Sequence, residues 1–128
     1  MGKSNRDTIS VNDCQILAHY KYEAEQYIIT LASIEIAENT QPGQFVHLSV
    51  SGMLAMRRPI SVMSVDKENG TFDLLYKIVG EGTRQLADRK IGDVLSVIGP
   101  IGNGFKMTDK KIPLLIGGGV GMPPICLL

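Results

Sequence analysis

The sequence predicts a mainly β fold, a small antiparallel barrel, and two observations predict it. Short runs rich in β-branched and aromatic residues recur along most of the chain, and turn chemistry separates them at regular intervals, as at Pro42-Gly43, Asn69-Gly70 and Gly99-Pro100. Only one segment ahead of the C-terminal stretch reads as a helix. Many short strands with so little helix to cover them are best accommodated by a sheet closed on itself.

The elements follow in order. Asp13 to Tyr22 and Glu25 to Ile36 read as strands, with Tyr27, Ile29 and Leu31 alternating against Ile28, Thr30 and Ala32. Pro42-Gly43 turns the chain into a strand from Gln44 to Val50. Gly52 to Met56 reads as a loop, Pro59 to Val65 as a strand, Asn69-Gly70 as a hairpin turn and Thr71 to Val79 as the returning strand. Thr83 to Arg89 is the short helix, with Thr83 as its cap. Val94 to Ile98 is the next strand, closed by Gly99-Pro100.

The composition then shifts. Lys106 to Lys111 is polar and reads as a linker, and Ile112 to Ile116 is the short apolar run of a buried parallel strand. Gly117, Gly118, Gly119, Val120 and Gly121 follow at once, then Met122-Pro123-Pro124. A strand feeding a glycine-rich turn is how a doubly wound domain opens its nucleotide site, because glycines let backbone amides approach a pyrophosphate. The division is therefore residues 1–106 as the barrel domain and 107–128 as the opening of a Rossmann-like domain, expected to be truncated at Leu128.

Charge and cysteine usage exclude several classes. Thirteen basic and thirteen acidic side chains cancel, so no electrostatic footprint for nucleic acid or an anionic membrane is present. Cys14 and Cys126 stand far apart without CxxC spacing, which reads as two buried free thiols in a reducing compartment. Gly2 begins a myristoylation pattern that Arg6 breaks, and no apolar run is long enough for a signal peptide or a membrane span; a soluble cytoplasmic protein is expected. His19 and His47 fall on strands and are given no role.

Three segments carry ligand chemistry. Arg58-Pro59-Ile60-Ser61 sets a fixed cation, a rigid extended backbone and a hydroxyl within four residues, which suits the phosphates and ring of a flavin nucleotide. The plain alternative is a β-rich surface turn. Leu75-Tyr76-Lys77 alternates across a strand, so Tyr76 and Lys77 point to opposite faces: Tyr76 or Leu75 can cover a ring or ribityl chain while Lys77 reaches a phosphate. A core residue beside a solvated lysine would look the same. Gly82-Thr83 opens the short helix, where a glycine permits close approach and unpaired amides favour an anion; a turn with an N-cap is the plain reading. Gly99 to Phe105 reads as a rigid connector.

Taken in order, Pro42-Gly43-Gln44-Phe45-Val46, Arg58-Pro59-Ile60-Ser61, Gly82-Thr83, Gly99 to Phe105 and Gly117 to Gly121 with Pro123 resemble the ferredoxin reductase superfamily. Within it the chain is most similar to the electron transfer subunits of NAD-dependent type B dihydroorotate dehydrogenases, over their N-terminal part. Ile60, Arg57-Arg58 and Met122-Pro123-Pro124 carry that finer resemblance.

The resemblance implies a six-stranded Greek-key barrel that binds FAD, followed in the family by an NAD-binding domain and a cysteine-rich [2Fe-2S] segment. FAD contacts are then expected at Arg58, Pro59, Ile60, Ser61, Leu75, Tyr76, Lys77, Gly82 and Thr83, with Gly117, Gly118, Gly119 and Gly121 as an incomplete NAD loop. Lys77 departs from the arginine more usual in the family and lacks its bidentate geometry. Electrons from dihydroorotate oxidation would pass from an FMN-containing catalytic subunit through the cluster and FAD to NAD, in pyrimidine biosynthesis. Two cysteines cannot supply the four thiolates of a cluster, so no catalytic or metal-ligating residue is assigned. Two alternatives stay open: the flavin and NAD reductase subunit of a sulfhydrogenase or a ferredoxin:NADP oxidoreductase, and a flavin-free β-barrel interaction module. Without a parallel sheet to receive it, the apolar tail must disorder, fold back on the barrel or pair with another chain, and self-association is the outcome expected.

Overall fold

The computed structural model describes residues 7–50, 56–106, 112 and 114–126. Strands β1 (Ser10–Tyr22), β2 (Gln26–Ala32), β3 (Phe45–Leu48), β4 (Arg58–Asp66), β5 (Thr71–Lys77) and β6 (Val94–Ile101) close into an antiparallel barrel in the order β1-β2-β5-β4-β3-β6. Neighbours such as β2 with β5 and β3 with β6 are not consecutive in the chain, which is the Greek-key arrangement expected. The strands alternate as a closed sheet requires. Phe72, Leu74 and Tyr76 of β5 turn inward with Ile29 and Leu31 of β2 and Val46 and Leu48 of β3, and Cys14, Ile16, Leu95 and Val97 complete the same core. Burying each large aliphatic or aromatic side chain contributes about 1.5–3 kcal/mol.

Turn residues hold the register. Gly70 ends the β4–β5 hairpin with φ of 67°, and Asp66 accepts hydrogen bonds from the Asn69 backbone N–H at 3.0 Å and its side-chain amide at 2.7 Å. Gln44, 1 % exposed, pins the turn before β3: its Oε1 accepts from the Gln41 N–H and its Nε2 donates to the Gly102 carbonyl.

Four expectations are corrected. The strand predicted from Glu25 to Ile36 stops at Ala32, and α1 (Ile34–Asn39) follows, because the Ser33 hydroxyl accepts from the Ile36 N–H and caps a helix. β6 does not end at Ile98 but runs through Gly99-Pro100 to Ile101. The short helix, α2 (Glu81–Ala87), starts two residues before Thr83, which lies inside its first turn. Ile112, Leu114, Leu115 and Ile116 form no strand among the described residues, since no parallel sheet receives them; Ile112 is 97 % exposed. The loop expected over 52–55 and most of the linker, 107–111, lie outside the described residues.

The glycine-rich segment forms a single 3-10 turn over Gly119–Gly121 and leads into α3 (Pro123–Cys126), which packs against β4 with Pro123 buried. Of the two cysteines, Cys14 is buried and Cys126 exposed, so the expectation of two buried thiols holds for the first alone. Cys126 is the last residue of α3. No described helix is long and apolar enough to cross a membrane.

Candidate functional site

Antiparallel pairing brings two of the sequence motifs together. Val62 of β4 lies opposite Leu74 of β5, so the start of β4 meets the end of β5, and the chain then passes directly into α2. At that corner a cavity of about 250 Å³ is lined by Pro59, Ile60, Ser61, Leu75, Tyr76, Lys77, Val79, Thr83 and Val120. Arg58 and Gly82 are the chain neighbours of this lining. They also touch each other: the Arg58 guanidinium crosses the space a Cβ on Gly82 would fill, so a larger residue there would have to displace the arginine.

The two adjacent arginines diverge. Arg57 donates from both terminal nitrogens to Ser96, at 2.9 Å to the carbonyl and 2.9 Å to the hydroxyl, and so ties the entry of β4 to β6. Among the described residues Arg58 makes one long hydrogen bond, 3.5 Å to the Met56 carbonyl, and its guanidinium lies against Gly82.

The strand faces sort the rest. Ser61 and Leu75 are half-buried and Pro59 and Lys77 exposed, while Ile60 and Tyr76 face the core, so Tyr76 and Lys77 lie on opposite faces as their alternation predicts. Tyr76 is 3 % exposed and stacks on Tyr27, its partner across the β2–β5 pairing, with ring centroids 5.3 Å apart and an interplanar angle of 10°. Burial, with Tyr27 and Asp88 adding to it, pushes the Tyr76 phenol well above its ordinary range. It stays protonated and can donate.

Thr83 supports the loop from beneath. Its hydroxyl accepts from the N–H groups of Val79 at 2.9 Å and Gly80 at 3.2 Å, which holds the backbone between β5 and α2 in one shape. The first-turn N–H groups of the helix have no intrahelical partners. Gly117, Gly118, Gly119 and Gly121 are exposed beside this corner's wall, and only Val120 of that segment enters the cavity lining.

Residues 21–105 match the family described as the oxidoreductase FAD-binding domain. The chain belongs to the oxidoreductase FAD-binding domain family. Its sequence is similar to the electron transfer subunit of dihydroorotate dehydrogenase B (NAD(+)) from Bacillus cereus strain B4264, with 41% identity over 104 residues, 77% of this chain and 40% of the relative. The subunit from Bacillus anthracis strain A0248 matches with the same identity and shares. The chain thus spans about 40% of the length of these curated relatives. Among solved structures, the NADH-dependent reduced ferredoxin-NADP oxidoreductase aligns with a TM-score of 0.82 at 30% identity, over 88% of this chain and 41% of that one. The ferredoxin reductase in carbazole 1,9a-dioxygenase shares the fold, with a TM-score of 0.79 at 24% identity over 93% of this chain and 38% of that one.

The corner of this FAD-binding domain fits a flavin dinucleotide in its donor set. It offers a guanidinium at its edge, an ammonium, a half-buried hydroxyl, first-turn amides and an apolar wall of Pro59 and Leu75. Sequence reasoning missed two of the domain's supports. His19 contacts Tyr76 from β1, and Arg89 donates from Nε at 3.1 Å, and from a terminal nitrogen, to the Val50 carbonyl. Neither sits in a motif; pairing across the barrel creates both contacts.

Proposed function

We propose that this barrel holds FAD at the corner of β4, β5 and α2, as the FAD-binding part of an electron transfer subunit serving a dihydroorotate dehydrogenase. The convergence of Arg58-Pro59-Ile60-Ser61, Leu75-Tyr76-Lys77 and Gly82-Thr83 on one cavity carries the reading. Arg58 and Lys77 would neutralise phosphates, and Ser61 would hydrogen-bond the edge of the ring against Pro59 and Leu75. Gly82 and Thr83 would meet the diphosphate with backbone N–H groups, since the Thr83 hydroxyl is engaged in the loop. The cavity lies just under the roughly 300–1,000 Å³ of small-molecule clefts, so it would take the ring end and leave the remainder of the dinucleotide along the surface. Bound FAD supplies exchange between two-electron and one-electron carriers, and the residues named here orient it.

Similarity to the Bacillus subunits supports the wider reading: an FMN-containing catalytic subunit as partner, with NAD and a [2Fe-2S] cluster used by parts beyond this barrel, in the cytoplasm. Residues 1–106 would form the flavin domain and 107–128 the opening of an NAD-binding one. A second reading, a ferredoxin-NADP oxidoreductase component, draws on the 30% identity to that structure. Co-purification separates the two, because a dihydroorotate-oxidising partner supports the first and a different redox partner overturns it.

Fluorescence titration with FAD tests the site itself. Arg58→Ala is expected to weaken FAD binding by about 10- to 100-fold, the range for a lost hydrogen bond to a charged group, with a smaller loss for Ser61→Ala. Binding unchanged in both variants is what a flavin-free interaction module predicts, and would refute the assignment.

A further inference from the structure

His19 sits on β1, outside the motifs, yet it touches Tyr76 of the corner and the chain just past α2. Its Nδ1 lies 3.0 Å from the Arg89 carbonyl and its Nε2 lies 2.7 Å from the Tyr76 hydroxyl. A carbonyl can only accept, so Nδ1 carries the proton, and in the neutral ring Nε2 accepts from the Tyr76 O–H. The ring also leans on Tyr27 and Tyr76, with centroids 5.5 Å and 6.0 Å away, so packing restrains it on two sides.

One contact reaches the cavity and the other reaches the chain just past α2. Tyr76 lines it from β5. Arg89 stands two residues past the end of α2, and its guanidinium holds the Val50 carbonyl on the chain leading from β3 toward Arg58. Through one imidazole and one guanidinium, β5, the chain just past α2 and the end of the segment after β3 are joined.

We infer that His19 is a positioning residue for the flavin: it fixes the Tyr76 ring relative to α2 and so sets the distance between the ring-covering and diphosphate-holding halves of the site. This deepens the FAD reading and rests on it. His19 touches no ligand itself. Its effect on flavin passes through the Tyr76 hydroxyl and the Arg89 carbonyl.

The test compares the 128-residue chain with His19→Leu, His19→Gln, Tyr76→Phe and the double variant His19→Leu/Tyr76→Phe. FAD affinity is measured by titration, bound-flavin fluorescence is recorded, and the His19 tautomer is read by ¹⁵N NMR without flavin. Wild type is expected to show the neutral tautomer protonated at Nδ1. His19→Leu and Tyr76→Phe should each weaken FAD binding about tenfold, with altered bound-flavin fluorescence, and the double variant should be no worse than the poorer single one. His19→Gln, which keeps a donor and an acceptor, should recover most of the loss. If His19→Leu fails to fold, Tyr76→Phe decides alone, because it removes only the hydroxyl and leaves the ring stacked. Wild-type affinity in the variants, additive losses, or a proton on Nε2 would overturn the inference while leaving the FAD site standing. A wild-type chain that takes no FAD overturns both.

Discussion

Arg57 and Arg58 are the same side chain one residue apart, and their partners differ. The first, just ahead of β4, is held by Ser96 on β6, and the second lies against Gly82 at the corner. Cys14 shows the same dependence on position. Burial first, and the charge of Asp13 second, push its thiol up to about 12, so at pH 8 it is a thiol and not the reactive thiolate. A thiol reagent at pH 8 is expected to modify Cys126 in the folded protein and Cys14 only after denaturant is added, as mass spectrometry of the labelled chain would show. Equal labelling of both in the native protein would contradict this. At this scale the sequence was legible where chemistry is local: Arg58, Ser61 and Lys77 could be named from their types and spacing. His19 could not, because its partners Tyr76 and Arg89 are 57 and 70 residues away.

The elements follow local rules except where a side chain finds a partner that changes the outcome. Ile34 to Ile36 carries β-branched residues and reads as strand, yet Ser33 caps a helix there and Thr40 closes it, its hydroxyl donating to the Ile36 carbonyl at 2.6 Å. Ser33→Ala is expected to cost about 1 kcal/mol of stability, measured by urea denaturation, with FAD affinity unchanged because α1 does not line the cavity. A larger effect on flavin than on stability would show that α1 acts on the site. β6 makes the opposite point. Gly99-Pro100 looks like a strand end, but Gly99 packs where a Cβ would strike the Val46 side chain, and pairing with Ser10 carries the strand onward. Both departures were hidden because propensity describes a residue alone, whereas capping and close packing belong to a pair.

In the whole molecule, the β4–β5 hairpin sets two of the motifs side by side, and the path of the chain after β5 brings α2 and Val120 to the same corner. The tail is the part that closure does not absorb. α3 covers β4, but Ile112, Leu114 and Ile116 stay 97 %, 83 % and 83 % exposed. Apolar side chains clustered in this way favour association. Light scattering is therefore expected to show concentration-dependent self-association that Leu114→Asp/Ile116→Asp reduces; a monomer in both proteins would exclude this route. By itself the sequence determined the fold class, the turns at Pro42-Gly43 and Asn69-Gly70 and the residue types that suit a flavin, because alternation, turn chemistry and donor type are carried within a few residues of chain. Tertiary structure alone decided which arginine is tied to β6 and which lies against Gly82, that Thr83 holds its loop, and that His19 meets both Tyr76 and the Arg89 carbonyl. Those outcomes depend on side chains that meet across the barrel, and such meetings are set by strand order and register rather than by neighbours in sequence.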